Sequence, residues 1–243
     1  MTVNFTTWKG ITDGQRYDIP DSVDYQVRVE DFDDPWPFNI GEIDMSVSGL
    51  SASTFDNDED SVAGDGTDDY GQADGPQNLP ENESFGVAFT FEASSLESGE
   101  FYWGSVGTGN EYFRCDTAER QSNPGNIEIE IRDGGGDLLA VQTDNTYDDG
   151  NPHLVVINKT GDSASDIDFY IDDMDNPVAT STTHDQNFDH ADYNMDVATA
   201  FYAEDNSGSI GSHIEMDAGI FEFNSEPYSE SDRTDILIRR PEV

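Results

Sequence analysis

Phe85-Gly-Val-Ala-Phe-Thr-Phe-Glu92 is the stretch of sequence that decides the fold. Small or polar residues in it alternate with large apolar ones, which stand at Phe85, Val87, Phe89 and Phe91. Successive side chains of a β-strand point to opposite faces of the sheet, so a period of two predicts a strand with one strongly apolar face.

The same alternation recurs from about residue 45 onward. Further alternating segments are Ile127–Arg132, Ile167–Asp172, Val197–Ala203 and Ile214–Phe223. Leu154–Ile157 is apolar at every position, which indicates a strand buried on both faces. Turns rich in Gly, Asp, Asn and Pro separate these segments. Many short strands divided by turns predict an all-β fold, namely a jelly-roll β-sandwich.

One segment near the end of the chain departs from this pattern. Ser229–Leu237 has the pattern of a short helix, and Ser229 and Asp232 are spaced like a reciprocal N-terminal cap pair. We therefore expect a single short α-helix there.

The charge of the chain limits its partners. The 243 residues include 53 Asp and Glu against 10 Lys and Arg, which gives a formal net charge of −43. Binding to nucleic acid or to an anionic membrane surface depends on clustered Lys and Arg, so neither partner is expected. High charge with low hydrophobicity is typical of disorder, but 11% of the residues are aromatic and lie in alternating runs. We expect a folded domain with an acidic surface.

The choice of charged residues indicates a high-salt environment. Lys9 and Lys159 are the only lysines, and Asp outnumbers Glu, as in proteins of extreme halophiles. A strongly acidic surface repels itself at low ionic strength, whereas at 1 M salt the Debye length falls to about 3 Å. We interpret the acid mainly as an adaptation to high salt, which makes each acidic motif less informative.

Residues 1–44 differ from the rest of the chain. They contain Pro20, Pro35 and Pro37 and few sustained alternations, and proline fixes its own φ and restricts the residue before it. We predict an irregular N-terminal anchoring arm over 1–44, held by the domain or by another subunit. The jelly-roll domain is then expected over 45–243.

Signals for compartment are few. The first residues show neither the apolar core of a signal peptide nor twin arginines. No apolar run approaches the ~20 residues that cross a bilayer. Cys115 is the single cysteine, so an intramolecular disulfide is excluded. We expect no signal peptide and no transmembrane segment.

Four segments carry a resemblance to a known family. They are Asp65–Tyr70 with Ser84–Phe91, Asp149–Ile157, Asp168–Ala179, and Ala218–Phe223 with Ser229–Leu237. In this order and spacing they resemble the concanavalin A-like lectin/glucanase superfamily, specifically its laminin-G-like jelly rolls, over about residues 45–240. Pro152 stands where the family usually has Trp, and Asp173 where it usually has Gly. Because this fold carries lectins, hydrolases and adhesive modules, the function has to come from the site.

Glycan binding is the first hypothesis for that site. Sugar sites on such sandwiches combine an exposed aromatic ring with acceptor or donor groups. Tyr147, beside Asp144 and Asp148, is the first candidate, and Trp103 is a second aromatic near a loop.

Glycoside hydrolysis is the alternative. Residues i and i+2 of a strand share a face roughly 6.5–7 Å apart, within the roughly 5–9.5 Å that separates the paired carboxyls of glycosidases. Glu128, Glu130 and Asp133 occupy the acidic positions of a glucanase-like motif, whereas Glu42–Val47 lacks its last acid. The competing interpretation is a strand whose acids simply face solvent.

Calcium is the cofactor that the sequence suggests. The spacing D-x-[DN]-x-D, which calcium loops use, occurs at Asp56, Asp58 and Asp60. Ser61 stands where an EF-hand needs Gly, so only a generic loop site remains. A second set, at a rim where laminin-G-like domains sometimes bind a cation, is Asp144, Asp148 and Asp149. Solvated acid without metal is again the competing interpretation.

These observations favour a non-catalytic surface-binding or adhesion module. Laminin-G-like domains usually face the exterior, yet no export signal is visible, and a virion protein released by lysis reconciles the two. We expect a spike, turret or tail head that binds a host cell-surface glycan or glycoprotein (S-layer) in high salt, forms a homo-oligomer and contacts other virion proteins through residues 1–44. The alternatives are a haloarchaeal extracellular lectin, a glucanase-type glycoside hydrolase and a structural capsid decoration.

Overall fold

The structure is a computed structural model. Side chains are described for residues 84–94, 112–116, 125–186, 188, 224 and 226–236, and elsewhere the backbone of the elements named below is described.

The elements follow one another in chain order. The first nine strands are β1 (Val23–Arg28), β2 (Trp36–Pro37), β3 (Asp44–Ser48), β4 (Phe55–Asp56), β5 (Ser61–Asp65), β6 (Tyr70–Asp74), β7 (Phe85–Glu92), β8 (Phe101–Val106) and β9 (Tyr112–Thr117). Then come β10 (Ile127–Arg132), β11 (Leu138–Thr143), β12 (Pro152–Lys159), a 3₁₀ turn (Ala164–Asp166), β13 (Ile167–Ile171), β14 (Thr180–Asp185), β15 (Val197–Ala200), β16 (Ala203–Glu204), β17 (Ile210–Gly211), β18 (Glu215–Asn224) and helix α1 (Glu230–Arg239).

Within the described part of the chain, these strands form two large antiparallel sheets and a small ribbon. The first sheet has the order β13-β12-β7-β18-β5-β4, with β1 also pairing with β18. The second has the order β14-β11-β10-β9-β8-β15-β6-β3-β2, and β16 pairs with β17. The all-β sandwich predicted from the alternating pattern is confirmed.

The apolar side chains at alternate positions fill the space between the two sheets. Phe85 of β7 packs edge-on against Phe113 of β9, with ring centroids 5.5 Å apart and an interplanar angle of 73°. Other buried side chains of this layer are Val87, Phe89, Phe91, Val155, Ile157, Phe169, Cys115, Ile127, Ile129, Ile131, Leu139 and Val141. Burial, and then the neighbouring charge of Asp116, raise the pKa of the Cys115 thiol well above its ordinary value, so this cysteine behaves as an apolar core residue.

A second apolar layer lies on the outer face of the first sheet. It consists of Ala88, Leu154, Val156, Tyr170, Met174, Tyr228 and Ile236. The expectation that β12 is buried on both faces is therefore confirmed. Helix α1 supplies part of this layer and begins at the predicted cap, where the Ser229 amide donates to Asp232 (2.9 Å) and the Asp232 amide donates to Ser229 Oγ (3.3 Å).

Strand β1 falls within the segment predicted to be an arm. It pairs antiparallel with β18, and Val27 lies opposite Phe221. Most of residues 1–44 lie outside the described residues, so the anchoring role and the boundary at 44 stay predictions.

Candidate functional site

A loop over residues 144–151, here called the rim loop, carries the chain from β11 in the second sheet to β12 in the first. Backbone hydrogen bonds fasten it at three points: Asp144 N to Ala179 O (3.0 Å), Tyr147 N to Gly125 O (2.7 Å) and Gly150 N to Ala93 O (2.9 Å). Each partner belongs to a different segment of the sandwich. The rim loop is therefore fixed along its length.

A buried asparagine secures the beginning of the rim loop. Asn126 Nδ2 donates to the carbonyls of Thr143 (2.6 Å) and Asn145 (3.1 Å). Thr143 Oγ1 donates to the same Asn145 carbonyl at 2.8 Å. These bonds satisfy the carbonyl of Thr143, the last residue of β11, and that of Asn145 in the rim loop.

Two glycines allow backbone conformations that the rim loop and its neighbour require. Gly125 has φ +94° and Gly150 has φ +75°, a region that side-chain-bearing residues rarely adopt. A Cβ at Gly125 would lie 2.5 Å from Oδ1 of Asp148. The Asp148 carboxylate therefore packs directly on the backbone of Gly125.

His153, near the start of β12, connects this loop to the turn after β13. Its Nδ1 lies 2.7 Å from Asp172 Oδ2, and its Nε2 lies 3.2 Å from Asp149 Oδ1. The other oxygen of Asp172 accepts a hydrogen bond from the Leu154 amide (3.0 Å). Asp172 has φ +59°, a conformation that Asp tolerates better than most residues. His153 itself is only 8% exposed.

Tyr147 lies against the imidazole of His153. The two rings meet edge-on, with centroids 5.2 Å apart and an angle of 83°, and Phe91 contacts the same imidazole with a centroid distance of 5.6 Å. Tyr147 is half-buried. Burial and then the charge of Asp172 raise the pKa of Tyr147, against an opposing hydrogen bond with Asn145. One side of this ring is held by the protein, and the phenol stays neutral near neutral pH.

The acids beside Tyr147 provide hydrogen-bond acceptors. Asp144 and Asp149 are exposed, and Asp144 Oδ1 accepts a hydrogen bond from Ser181 Oγ (2.5 Å). Hydrogen bonds from Asn151, and to a smaller degree from His153, hold the pKa of Asp149 below its ordinary value. The group comprising Tyr147, Asp148, Asp149, His153 and Asp172 is called the rim cluster below. It offers an aromatic ring next to carboxylates that can accept hydroxyl hydrogen bonds.

Two residues of the rim cluster, Tyr147 and Asp148, are glycan-binding candidates from the sequence. Tyr147, Asp144 and Asp148, the predicted glycan-binding residues, do lie on one loop. The side chain of Trp103, in β8, lies outside the described residues. His153 and Asp172 were not predicted as site residues, and Asp149 was predicted only as a candidate cation ligand. The available signal was the spacing of four between Asp149 and His153, ahead of an apolar strand.

The predicted hydrolase residues are all engaged by other groups of the protein. Glu128 and Glu130 share a face of β10, and both are 0% exposed. Glu128 Oε1 accepts from Thr183 Oγ1 (2.8 Å), and Glu130 is paired with Arg114. Asp133 instead caps the hairpin turn, where its Oδ1 accepts from the Asp137 amide (2.8 Å).

The competing interpretation of β10, a strand whose acids face solvent, is wrong. The alternation suggested acids that face solvent, but both glutamates are buried on the face opposite the apolar core. Arg114 explains the burial of Glu130, because its guanidinium binds that carboxylate and also lies 3.1 Å from Asp116. Buried carboxylates require such pairing.

Calcium binding at either predicted set of acids stays a prediction. Of the residues proposed as calcium ligands, Asp58 and Asp60 lie outside the described residues, as does the side chain of Asp56. Over the side chains that are described, which include the rim loop, no three His, Cys, Asp or Glu are grouped so as to hold a metal ion.

The described part of the chain contains no helix long and apolar enough to cross a membrane.

Solved structures, but no family model or curated protein, are similar to this chain. No protein-family model matches the sequence, and no curated protein is significantly similar to it. Solved structures with a similar fold include receptor-binding domains of botulinum neurotoxins. The serotype D binding domain superposes with a TM-score of 0.64 at 14% identity, over 90% of this chain and 52% of that one. The domain of the C/D mosaic serotype gives 0.59 at 13% identity, over 91% and 52%.

One of these similar structures contains a sugar. The serotype D ligand-binding domain in complex with N-acetylneuraminic acid gives a TM-score of 0.57 at 12% identity, over 90% of this chain and 51% of that one. The chain thus spans about half the length of the domains it resembles. Likeness at this level of identity establishes a shared β-sandwich fold.

Proposed function

We propose that the chain is a non-catalytic module that binds cell-surface glycan through the rim cluster. The observation that carries this proposal is the packing of Tyr147, whose ring is fixed edge-on against His153 at 5.2 Å while carboxylates stand beside it. A fixed aromatic ring can stack on the apolar face of a sugar without losing much side-chain entropy. Carboxylates next to it can orient the sugar through its hydroxyl groups.

The charge of the site favours an uncharged glycan. The rim loop 144–151 and the turn 172–179 each contain three acidic residues, all of them Asp, and neither contains Lys or Arg. A carboxylated sugar would meet repulsion there, in a chain with net charge −43. The similar toxin domain was solved with N-acetylneuraminic acid, which is itself anionic. We therefore propose a neutral hexose-terminated glycan as the ligand of this chain.

The geometry supports binding over hydrolysis. A retaining or inverting glycosidase needs two carboxyls with access to the same bond. Glu130 is engaged by Arg114, and Asp133 caps a turn. In the rim cluster, Asp149 and Asp172 contact opposite nitrogens of one imidazole, so each is already engaged.

A finer proposal concerns where the module works. We propose a virion head, carried by the arm over 1–44 and assembled as a homo-oligomer, that binds S-layer glycan of a halophilic host. The acidic composition with two lysines supports the salt environment. Immunogold labelling of virus particles tests this location, and finding the protein solely in the cytoplasm of uninfected cells contradicts it.

The experiment that tests glycan binding is a panel of neoglycoproteins in molar NaCl, terminated with glucose, galactose, mannose or N-acetylneuraminic acid. We expect binding to one or more neutral termini, and Tyr147→Ala should weaken it by roughly tenfold or more, equivalent to about 1.4 kcal/mol. Asp137→Asn, in the exposed turn between β10 and β11, is the matched surface control and should bind normally. Binding that is equally strong in Tyr147→Ala would contradict the assignment of the site.

A further inference from the structure

Both ring nitrogens of His153 face carboxylates. Asp172 Oδ2 lies 2.7 Å from Nδ1, and Asp149 Oδ1 lies 3.2 Å from Nε2. A neutral imidazole carries one N–H and can donate to only one of them, whereas the imidazolium donates to both. The geometry therefore fits the doubly protonated ring.

Among the residues whose side chains are described, the groups that face His153 come from three elements. Strand β7 contributes Phe91, which is uncharged, and the rim loop contributes Tyr147 and Asp149. The turn after β13 contributes Asp172. Burial lowers the pKa of His153, but hydrogen bonds and charge from Asp172 and then Asp149 outweigh it, so the pKa is raised.

Protonation of His153 has a structural consequence. Asp149 belongs to the rim loop and Asp172 to the turn after β13, so the imidazolium links two segments that are 23 positions apart in sequence. The Tyr147 ring rests on the edge of the same imidazole. The position of the proposed sugar-stacking ring thus depends on this link.

We propose that the imidazolium of His153 is the positioning residue of the rim cluster, so that glycan binding is strong while His153 is protonated and weakens when it loses its proton. The inference rests on the proposed function and names the regulation of that site. His153 itself does not need to touch the sugar. It acts through Tyr147 and the rim loop.

The proton that leaves is the one on Nε2. The contact of Nδ1 with Asp172 is the shorter, and Asp172 is less exposed than Asp149. Loss of the Nε2 proton to solvent leaves a lone pair facing the Asp149 carboxylate, and the two repel. The end of the rim loop then separates from His153, and Tyr147 loses the fixed edge on which it packs.

The proposal is tested with the full chain in molar NaCl, labelled for NMR at His and Tyr. The His153 imidazole and the Tyr147 ring are followed from mildly acidic to alkaline pH, and binding to the neoglycoprotein panel is measured in the same buffers. We expect both rings and the binding to change with one midpoint, above the ordinary value for His of about 6.5.

Three variants sharpen the test. Asp149→Asn should shift the midpoint of Tyr147 and of binding to lower pH, because one of the two carboxylates that stabilise the imidazolium is removed. His153→Gln should bind weakly and without this pH dependence. His184→Gln, which removes a half-buried histidine on β14, should leave midpoint and binding unchanged.

The outcomes separate the two proposals. If His153 titrates while the Tyr147 resonances and the binding do not follow it, the positioning role is overturned. If no neoglycoprotein binds at any pH, the proposed function fails, but the NMR midpoint of Tyr147 still decides whether His153 positions the ring. A shared midpoint that moves in Asp149→Asn supports the positioning role in either case.

Discussion

The ring of Tyr228 lies directly on the backbone of Gly86. A Cβ at residue 86 would come within 2.5 Å of Tyr228 Cδ2 and 2.6 Å of Cε2. Tyr228 is 2% exposed, and its backbone is held by Asn158, which accepts from the Tyr228 amide and donates to its carbonyl, each at 2.8 Å. The ring has no room to retreat, so glycine at position 86 is required for α1 to dock on the first sheet.

Gly86→Ala is therefore expected to destabilise the protein by about 1–3 kcal/mol, the usual cost of inserting a methyl group into a packed core. Urea unfolding in molar NaCl, followed by near-UV circular dichroism, measures this loss. Gly135→Ala, in the exposed turn after β10, is the matched control and should unfold with the parent protein. Equal stability of Gly86→Ala and Gly135→Ala would show that Tyr228 can move.

A second prediction concerns the arginine that closes the same layer. Arg233 donates from Nε to Met174 O (2.8 Å) and from Nη1 to Tyr228 O (2.9 Å), while its guanidinium stacks 3.8 Å from the centroid of Tyr170. A lysine cannot reproduce two fixed donors and a planar stack. Arg233→Lys should lower stability by about 1.5–3 kcal/mol, as for hydrogen bonds that involve a charged group.

Arg132→Lys is the control for this prediction. Arg132 is half-buried, and its guanidinium lies 5.9 Å from the ring centroid of Tyr112, well beyond the stacking distance seen at Arg233. The same urea titration should give a much smaller change for it. A similar loss in both variants would mean that lysine is disfavoured generally and that the Arg233 contacts have no special role.

The features that the sequence predicted correctly are those set by local pattern. The period of two in Phe85–Glu92 and the continuous apolar run Leu154–Ile157 led directly to β7 and β12, because burial decides which face of a strand must be apolar. Ser229 and Asp232 marked the start of α1, because capping is a contact between residues three apart. Each of these inferences needs only near neighbours along the chain.

The features that the sequence did not reveal depend on pairing between distant segments. Glu130 is buried because Arg114, on the neighbouring strand, reaches it, and no local pattern shows which strands are neighbours. His153 joins the candidate site because the turn after β13 brings Asp172 to its Nδ1. In a chain this acidic, the sequence also offers no contrast between carboxylates that face solvent and those that are engaged.

The third prediction tests the role of Glu130 as a structural ion-pair partner. Glu130→Ala removes a charged hydrogen-bond partner of Arg114, but Arg114 keeps its contact with Asp116, so the variant should cost about 1–3 kcal/mol. Asp137→Asn, an exposed acid in the adjoining turn, should be neutral. The same residues also test for catalysis. In a reducing-sugar release assay, we expect no sugar release from the parent protein, from Glu128→Gln or from Glu130→Gln. Sugar release that disappears in either variant would instead restore the hydrolase.

The fourth prediction follows from the raised pKa of His153. The native state holds this proton more tightly than the unfolded chain does, so the stabilisation is complete below the unfolded pKa of about 6.5 and is lost as pH rises through the higher native value. Urea midpoints of the parent protein should fall across that interval. His153→Gln should flatten this fall, and an unchanged pH profile in that variant would assign the titration to another group.

The last prediction concerns salt. A net charge of −43 on 243 residues makes the compact state repel itself, and the repulsion reaches further as the Debye length grows from about 3 Å at 1 M to about 10 Å at 0.1 M. Dialysis from molar to millimolar NaCl should therefore abolish the near-UV circular dichroism of the buried aromatic rings, while the same spectrum stays intact in molar salt.

An uncharged osmolyte separates screening from other effects of salt. Sucrose strengthens burial by being excluded from the protein surface, but it does not screen charge. If repulsion between carboxylates is the cause, NaCl should restore the near-UV spectrum at concentrations where sucrose of equal osmolality does not. A spectrum that persists in dilute buffer would mean that the sandwich core outweighs the surface repulsion without added salt, and the acidic composition would then require a different explanation.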